Sequence, residues 1–277
     1  MHHFFVGPEQ VLGDGIRIVG PDVNHMKNAL RMKQGEEVLV SDGTGTDYHC
    51  CLSSLNSDCV EARIVSADRD GRELPSRIWL FQGLPKSDKM ELIIQKAVEL
   101  GAAGIVPVST KNAVVKLDAK KEEAKRKRWQ AIAESAAKQS GRSLMPQVMG
   151  LMTLGQAFDY IEKEQFALRL IPYEHEDGME GSRQELSRVA PGQDIAVFIG
   201  PEGGFDEAEI GLALKKGVRP VSLGKRILRT ETAGLAMLSV LMMRLEGGLK
   251  AGPRQGRPLT ALNGEPQERK APQEEGK

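Results

Sequence analysis

After residue 77 the chain alternates between predominantly apolar runs and segments with helical periodicity. An apolar run without regular polar alternation is typical of a strand covered on both faces, and such strands belong to parallel sheets flanked by helices. The runs cover residues 78–81, 105–108, 166–171, 195–199 and 218–223. This pattern predicts an α/β domain with a parallel sheet, which we place at residues 76–249.

The clearest helix candidate lies between the first two runs, at residues 89–100. Asp88 and Glu91 have the spacing of a capping box, and Gly101 follows the last turn. Apolar residues three and four apart would form one buried stripe. They are Met90, Ile93, Ile94, Ala97 and Val98.

The first 75 residues have a different pattern, with short strand candidates separated by turns. The candidates are residues 16–20, 37–41 and 60–66, and an Asp-Gly turn follows the second of them. Such a pattern favours a small β-barrel or sandwich, interrupted by one helix at residues 23–32. We place this domain at residues 1–73, and the polar stretch 66–76 is predicted to be a linker.

The overall charge of the chain hides strong local differences. Among 277 residues, 38 Lys and Arg balance 38 Asp and Glu, which argues against holding nucleic acid by bulk electrostatics. By segment, the net charge is −5 for residues 1–75, +7 for 76–150, −4 for 151–249 and +2 for 250–277. Residues 120–128 are the densest basic cluster, either a solvated helix face or part of an RNA surface.

Several classes of protein are excluded or disfavoured by composition. No apolar run approaches the roughly 20 residues that a bilayer requires, and the N-terminus lacks the pattern of a secretory signal, so we expect a cytoplasmic protein without membrane contact. Cys50, Cys51 and Cys59 lack the spacing of a zinc site. The acidic cluster around His175 lacks the helical spacing of metal ligands, and no metal is expected. Residues 250–277 are predicted to be a disordered tail.

Two segments have features of ligand-binding loops. In the first, a buried strand leads into Gly200 and the pair Gly203 and Gly204, before Asp206 caps a helix. A plain tight turn would have the same sequence. In the second, residues 221–234 leave a strand and enter a helix with Thr230 as its predicted N-cap. That helix is apolar nearly all round, so it is either a central core helix or buried against a second subunit.

Taken together, these residues resemble the ribosomal small-subunit RNA methyltransferase E family, which methylates N3 of a uridine in 16S rRNA. The resemblance rests mainly on residues 199–205 and 223–233. Supporting matches include Phe4-Phe5-Val6, the stretch from His25 to Lys33, and Lys86 with residues 88–91. Further matches are Gln95-Lys96, Glu99-Leu100-Gly101 and residues 139–142, in family order across residues 3–245.

The resemblance implies a fold that the residue pattern alone does not suggest. Family members have the SPOUT fold, in which the parallel-sheet domain contains a trefoil knot and follows a PUA-like β-barrel. They act as homodimers, bind S-adenosyl-L-methionine on the knotted loops, and modify small-subunit rRNA, which we expect here in an assembled particle. The implied cofactor residues are Leu170, Ile171, Pro172, Tyr173, Ile199, Gly200, Pro201, Glu202, Gly203, Gly204, Leu223, Gly224, Ile227, Leu228, Arg229, Thr230, Thr232 and Ala233.

For catalysis, Arg229 is our candidate to stabilise the uracil anion, and Glu231 is the weaker candidate for the base. We predict an RNA surface built from both domains. Its residues are His25, Arg31, Lys33, Lys86, Gln139 and Arg142, together with the basic segment 111–142. The alternatives are a SPOUT methyltransferase for tRNA or large-subunit rRNA, and an RNA-binding assembly factor that has lost catalysis.

Overall fold

A computed structural model describes residues 1–69, 71–115, 117–173 and 178–247. The predicted tail at 250–277 and the acidic cluster at 174–177 lie outside the described residues. The described chain forms two β-sheets that share no strand, and it passes from one to the other between Asp68 and Arg77.

The N-terminal sheet has six strands in the order β1-β4-β5-β6-β3-β2. All neighbours are antiparallel except β1 and β4. The helix predicted at 23–32 begins earlier, as α1 at Pro21–Asn24, and continues as a π-helical turn at His25–Ala29. The strands are β1 His2–Phe5, β2 Val11–Leu12, β3 Gly15–Val19, β4 Glu37–Ser41, β5 Asp47–Leu55 and β6 Cys59–Asp68. The last strand therefore extends into the predicted linker.

The second sheet is parallel throughout, with the order β10-β8-β7-β12-β11-β13 and β9 also beside β8. This confirms the predicted α/β domain, since each apolar run contains or overlaps one strand. The strands are β7 Arg77–Gly83, β8 Ala102–Ser109, β9 Gln147–Val148, β10 Met152–Thr153, β11 Leu168–Pro172, β12 Asp194–Ile199 and β13 Arg219–Val221. Strand order does not test the threading of a knot, which stays a prediction.

Helices cover both faces of this sheet. Successive residues of β7 point to opposite faces, so they enter two different cores. Ile78 and Leu80 enter a core with α2, α3 and α7, whereas Trp79 and Phe81 enter a second core with α4. In that second core, the rings of Phe81 and Phe198 stack with centroids 4.5 Å apart. The helices are α2 Lys89–Glu99, α3 Ala119–Ser140, α4 Leu154–Lys163, α5 Glu180–Ser187, α6 Glu207–Lys215 and α7 Thr230–Glu246.

The predicted capping box of α2 and the predicted N-cap of α7 are both wrong, although Asp88 does occupy the N-cap position of α2. Asp88 stands before α2 but its side chain makes no capping hydrogen bond, and Glu91 binds Arg128 of α3 instead, with Arg128 Nε 2.8 Å from Glu91 Oε1. The N-cap of α7 is Arg229, and Thr230 is the first helical residue. In both places the side chain predicted to cap the helix binds a residue distant in sequence. Glu91 pairs with Arg128, and the Thr230 hydroxyl donates to the Gly200 carbonyl.

Candidate active site

A cavity of about 370 Å³ lies at the carboxyl ends of β11, β12 and β13. Loops at this edge of a parallel sheet commonly bind ligands. Three loops and the first turn of α7 supply most of the lining. The lining residues are Lys89, Pro172, Tyr173, Ile199, Gly200, Pro201, Glu202, Gly204, Phe205, Leu223, Gly224, Arg226, Ile227, Leu228, Arg229, Thr230 and Ala233.

The loop after β12 turns sharply at its glycines. The N–H of Gly204 donates to the carbonyl of Pro201 at 3.0 Å, and Gly204 has a φ of +64°, which disfavours other residues. A methyl group added at Gly200 would lie 3.1 Å from the Cα of Gly204, so a side chain there would press on the loop backbone. The loop ends at Asp206, which caps α6 as predicted, and the structure adds Glu209 as its capping-box partner.

A second loop, after β8, holds this glycine loop from outside. The Asn112 Nδ2 donates to the carbonyl of Gly203 at 3.0 Å, and the Lys111 ammonium lies 2.8 Å from Asp206 Oδ2. The hydrogen bond from Lys111 lowers the pKa of Asp206. Gly203 itself does not line the cavity, because it packs against Asn112.

The charged part of the site is organised around Lys89, the first residue of α2. Its Nζ lies 2.9 Å from Glu202 Oε1 and 3.5 Å from Glu231 Oε2. Glu202 also accepts a hydrogen bond from the N–H of Lys86 at 3.1 Å. Burial opposes ionisation of Glu202, but the bonds from Lys89 and the backbone outweigh it and lower its pKa. Lys89 therefore links the glycine loop to the first turn of α7.

Glu231 faces Lys89 rather than the cavity. It is absent from the cavity lining, and its buried Oε2 accepts no hydrogen bond from the described residues. Because the carboxylate forms an ion pair with Lys89, this conformation does not present it as a base toward the cavity.

Arg229, in contrast, is exposed and lines the cavity. Its backbone begins α7, where its carbonyl accepts from the N–H of Ala233 at 2.8 Å. Within the described parts of the chain its guanidinium makes no ion pair or side-chain hydrogen bond. It is therefore available to a ligand.

Most of the predicted cofactor residues meet in this cavity, and four do not. Leu170 and Ile171 are buried inside β11, Gly203 packs on Asn112, and Thr232 is an exposed residue of α7. The lining also includes Lys89, Phe205 and Arg226, which the sequence reasoning missed. All three lie within the motifs that carried the resemblance, so a signal for each was present in the sequence.

Five of the predicted RNA-contacting residues are exposed. They are His25, Arg31, Lys33, Lys86 and Gln139. The end of α3 reaches α1, because the Lys138 ammonium lies 3.1 Å from Asp22. This contact brings Gln139 into the same region as the helical turn that carries His25.

The prediction that Arg142 contacts RNA is wrong. Its side chain is 6% exposed and bonds Glu73, whose side chain is 4% exposed, with Nε 3.1 Å from Glu73 Oε1. The same guanidinium donates to the carbonyls of Val98 and Ala102. Four of the five guanidinium N–H groups bond partners inside the protein, and the side chain is buried, so a phosphate cannot reach it.

Two further observations concern sites of other kinds. Among the described residues, no group of three or more His, Cys, Asp and Glu side chains could hold a metal ion. Cys50, Cys51 and Cys59 are free thiols, and burial raises the pKa of Cys50 to about 11. In the same described ranges, every helix is too short or too polar to span a bilayer.

Comparison with known protein families gives two matches that follow the two sheets. Residues 18–65 match the model of an RNA methyltransferase PUA domain, and residues 72–242 match the model of an RNA methyltransferase domain. The second match alone covers more than half of the chain.

Individual relatives agree with these matches. The chain is 36% identical over 233 residues to the ribosomal RNA small subunit methyltransferase E of Bacillus subtilis, covering 83% of this chain and 90% of that protein. It is 33% identical over 245 residues to the protein of the same name from Synechocystis, covering 88% and 78%. The crystal structure of the Neisseria gonorrhoeae ribosomal RNA small subunit methyltransferase E, bound to S-adenosyl methionine, superposes with a TM-score of 0.75 at 33% identity, covering 88% of this chain and 97% of that one.

Proposed function

The chain belongs to the ribosomal RNA small subunit methyltransferase E family, and we propose that it transfers a methyl group from S-adenosyl methionine to N3 of a uridine in 16S rRNA. One observation carries this proposal to the chain's own residues. The motifs that resemble the family, at 199–205 and 223–233, are separated by α6 and β13 yet line one cavity. The cavity lies at the edge of the sheet where parallel strands place ligands.

The lining of the cavity fits S-adenosyl methionine. Its volume of about 370 Å³ is within the range of small-molecule sites. Aliphatic residues would hold the flat adenine, and the glycine loop lets backbone amides approach the ligand closely. Those aliphatic residues are Ile199, Leu223, Ile227, Leu228 and Ala233. When bound, S-adenosyl methionine supplies a methyl group on a positively charged sulfur.

Arg229 is the residue that we assign to the uracil. N3 lies on the Watson–Crick edge and carries a proton, so the base must be unpaired, and negative charge spreads to its carbonyl oxygens as the proton leaves. A guanidinium without an internal partner can donate to one of those oxygens and stabilise the charge. Glu231 stays our candidate for the base. It is the weaker assignment, because its ion pair with Lys89 must break before the carboxylate can accept the proton.

The RNA surface that we propose spans both domains, divided at residues 1–73 and 76–249. The exposed residues His25, Arg31 and Lys33 belong to the N-terminal domain, and Gln139 is exposed at the end of α3, next to Lys138, which pairs with Asp22 of that domain. Lys86 lies beside the cavity, because its N–H bonds Glu202 of the lining. The basic half of α3 extends this surface, with Lys125 placed 5.6 Å from the centre of the Trp129 ring.

We also propose that the protein is a homodimer that acts in the cytoplasm on an assembled small-subunit particle. The second subunit would cover apolar side chains that α7 leaves exposed, since Val240 is 41% and Met243 69% exposed. The inner face of the same helix packs on α2, β7 and β12. A helix that is apolar on both faces is expected to bury both.

The deciding experiment maps the methylated nucleotide. Purified protein is incubated with labelled S-adenosyl methionine and either 30S particles or naked 16S rRNA from cells that lack this modification, and nuclease fragments are read by mass spectrometry. We expect one N3-methyluridine in 16S rRNA, with more label from the particles. Label in tRNA or 23S rRNA would contradict the proposed substrate, and no label in any RNA would contradict the proposed activity.

A further inference from the structure

Gln82 is a polar side chain buried at the carboxyl end of β7. Its exposed fraction is 0%, and its Nε2 donates to the Thr230 hydroxyl and to the carbonyl of Gly83, both at 2.9 Å. Its Oε1 is buried and accepts no hydrogen bond from the described residues. Burying an amide oxygen without a hydrogen-bond partner is unfavourable. The hydrogen bonds that the Gln82 amide does make are therefore candidates for a role in the site.

The Thr230 hydroxyl is the next group in the chain of hydrogen bonds. It accepts from Gln82 and donates to the carbonyl of Gly200 at 2.6 Å. Its single proton is therefore used within the protein. The residue lines the cavity, as the resemblance implies for a cofactor residue, but its hydroxyl proton is directed at the glycine loop.

These bonds join three elements that are distant in sequence. Gln82 belongs to β7, Gly200 begins the loop after β12, and Thr230 begins α7. Packing at the same point is tight, because a methyl group added at Gly83 would lie 2.7 Å from the backbone nitrogen of Pro201. The two main walls of the cavity thus meet on the end of β7.

We propose that Gln82 and Thr230 are positioning residues that set the distance between the glycine loop and the first turn of α7, and thereby the affinity for S-adenosyl methionine. This inference rests on the proposed function. The Thr230 hydroxyl holds the Gly200 carbonyl at a fixed place, and Gln82 orients that hydroxyl by donating to it. Neither side chain is assigned a bond to the cofactor, so both act through the loop.

The test compares Thr230→Val, which replaces the hydroxyl with a methyl group, and Thr230→Ser, which keeps it. Calorimetry with S-adenosyl methionine should show a Kd about tenfold higher for Thr230→Val and within about twofold of the natural chain for Thr230→Ser. In turnover, the KM for the cofactor should rise while kcat at saturating cofactor changes by less than about threefold. Gln82→Met should raise the Kd by a smaller factor, because the bond to Gly200 survives.

Ser239→Ala is the matched control, since its hydroxyl donates only to the Leu235 carbonyl of the same helix at 2.8 Å. It should leave the Kd unchanged. If Thr230→Val binds as tightly as the natural chain, or if Thr230→Ser binds as weakly as Thr230→Val, the positioning role is wrong. If the natural chain itself does not bind S-adenosyl methionine, the proposed function fails, and this inference fails with it. If Thr230→Val does not fold, the Kd values of Gln82→Met and Thr230→Ser decide. A Gln82→Met variant that binds S-adenosyl methionine as tightly as the natural chain would then contradict the positioning role.

Discussion

Arginine and carboxylate side chains gather in two regions of this molecule, and the regions differ in how those groups are partnered. At the junction of the two sheets, Arg142 and Glu73 are both nearly fully buried, and Ser143 donates to Asp47 at 2.8 Å. His3 of the N-terminal sheet donates from Nδ1 to the Lys138 carbonyl at 3.3 Å, and its Nε2 is hydrogen-bonded to the Ser41 hydroxyl at 2.6 Å. Around the cavity, Arg229 is exposed and the Lys89 and Glu202 side chains remain about 30% exposed.

The difference shows how burial separates architecture from chemistry. A buried charged pair is tolerated only if its hydrogen bonds are made inside the protein, so the junction has little capacity left for a ligand. The cavity charges keep access to solvent, and one of them has no internal partner among the described residues. Arginine and carboxylate side chains can therefore be assigned a structural role at the junction and a chemical role at the cavity.

Removing the buried charge at the junction should have the largest effect. Arg142→Ala leaves Glu73 buried without its cation, and breaking such a pair lowers the free energy of unfolding by about 3–5 kcal/mol. Urea denaturation followed by circular dichroism measures this. Arg128→Ala is the control, because that arginine is 66% exposed in its pair with Glu91 and should change stability by less than about 1 kcal/mol. Equal effects of the two variants would contradict the contrast between junction and surface.

Removing the available charge at the cavity should instead affect turnover. Arg229→Ala is expected to lower kcat by roughly 30-fold to 1000-fold, about 2–4 kcal/mol, if the guanidinium stabilises charge on the uracil. The melting temperature should change little, since Arg229 makes no ion pair or side-chain hydrogen bond in the described chain. Single-turnover methylation at saturating RNA measures the effect. Lys225→Ala removes an exposed cation of the same loop that does not line the cavity, and it should be neutral. Natural turnover by Arg229→Ala would remove the assignment.

The features that could be predicted from the sequence are those that short stretches determine. Apolar runs predict the strands of the parallel sheet, because a strand covered on both faces needs apolar residues at successive positions. Asp206 is predictable as a cap because its partners, Ala208 and Glu209, are two and three residues away. The glycines of the loop after β12 also predict the cavity, because they follow directly on the strand in the sequence.

The features that could not be predicted depend on pairs that the fold brings together. Arg142 meets Glu73 across 69 positions, and Thr230 meets Gln82 across 148. No local pattern distinguishes an arginine that will be buried against a distant carboxylate from one that will face RNA. The family resemblance supplied the cavity residues, whereas Arg142 was assigned to RNA because it ends the basic segment 111–142, and a charge pattern does not say which partner each cation binds.

The smallest effect is expected along α3, because this helix contains cations with a carboxylate partner and cations without one. Lys120 and Arg126 make no ion pair in the described chain, whereas Lys127 is paired with Glu123 at 2.9 Å. If the exposed half of α3 binds phosphates, changing Lys120 and Arg126 to Gln should reduce the slope of log binding constant against log salt by roughly 0.7 to 0.9 for each phosphate that is no longer neutralised. Lys127→Gln should reduce it less, because its carboxylate partner already offsets its charge. Filter binding of a 16S rRNA fragment between low and moderate salt measures the three slopes. Unchanged slopes would identify the basic half of α3 as a solvated face, and the RNA surface would then be confined to the residues around His25 and the cavity.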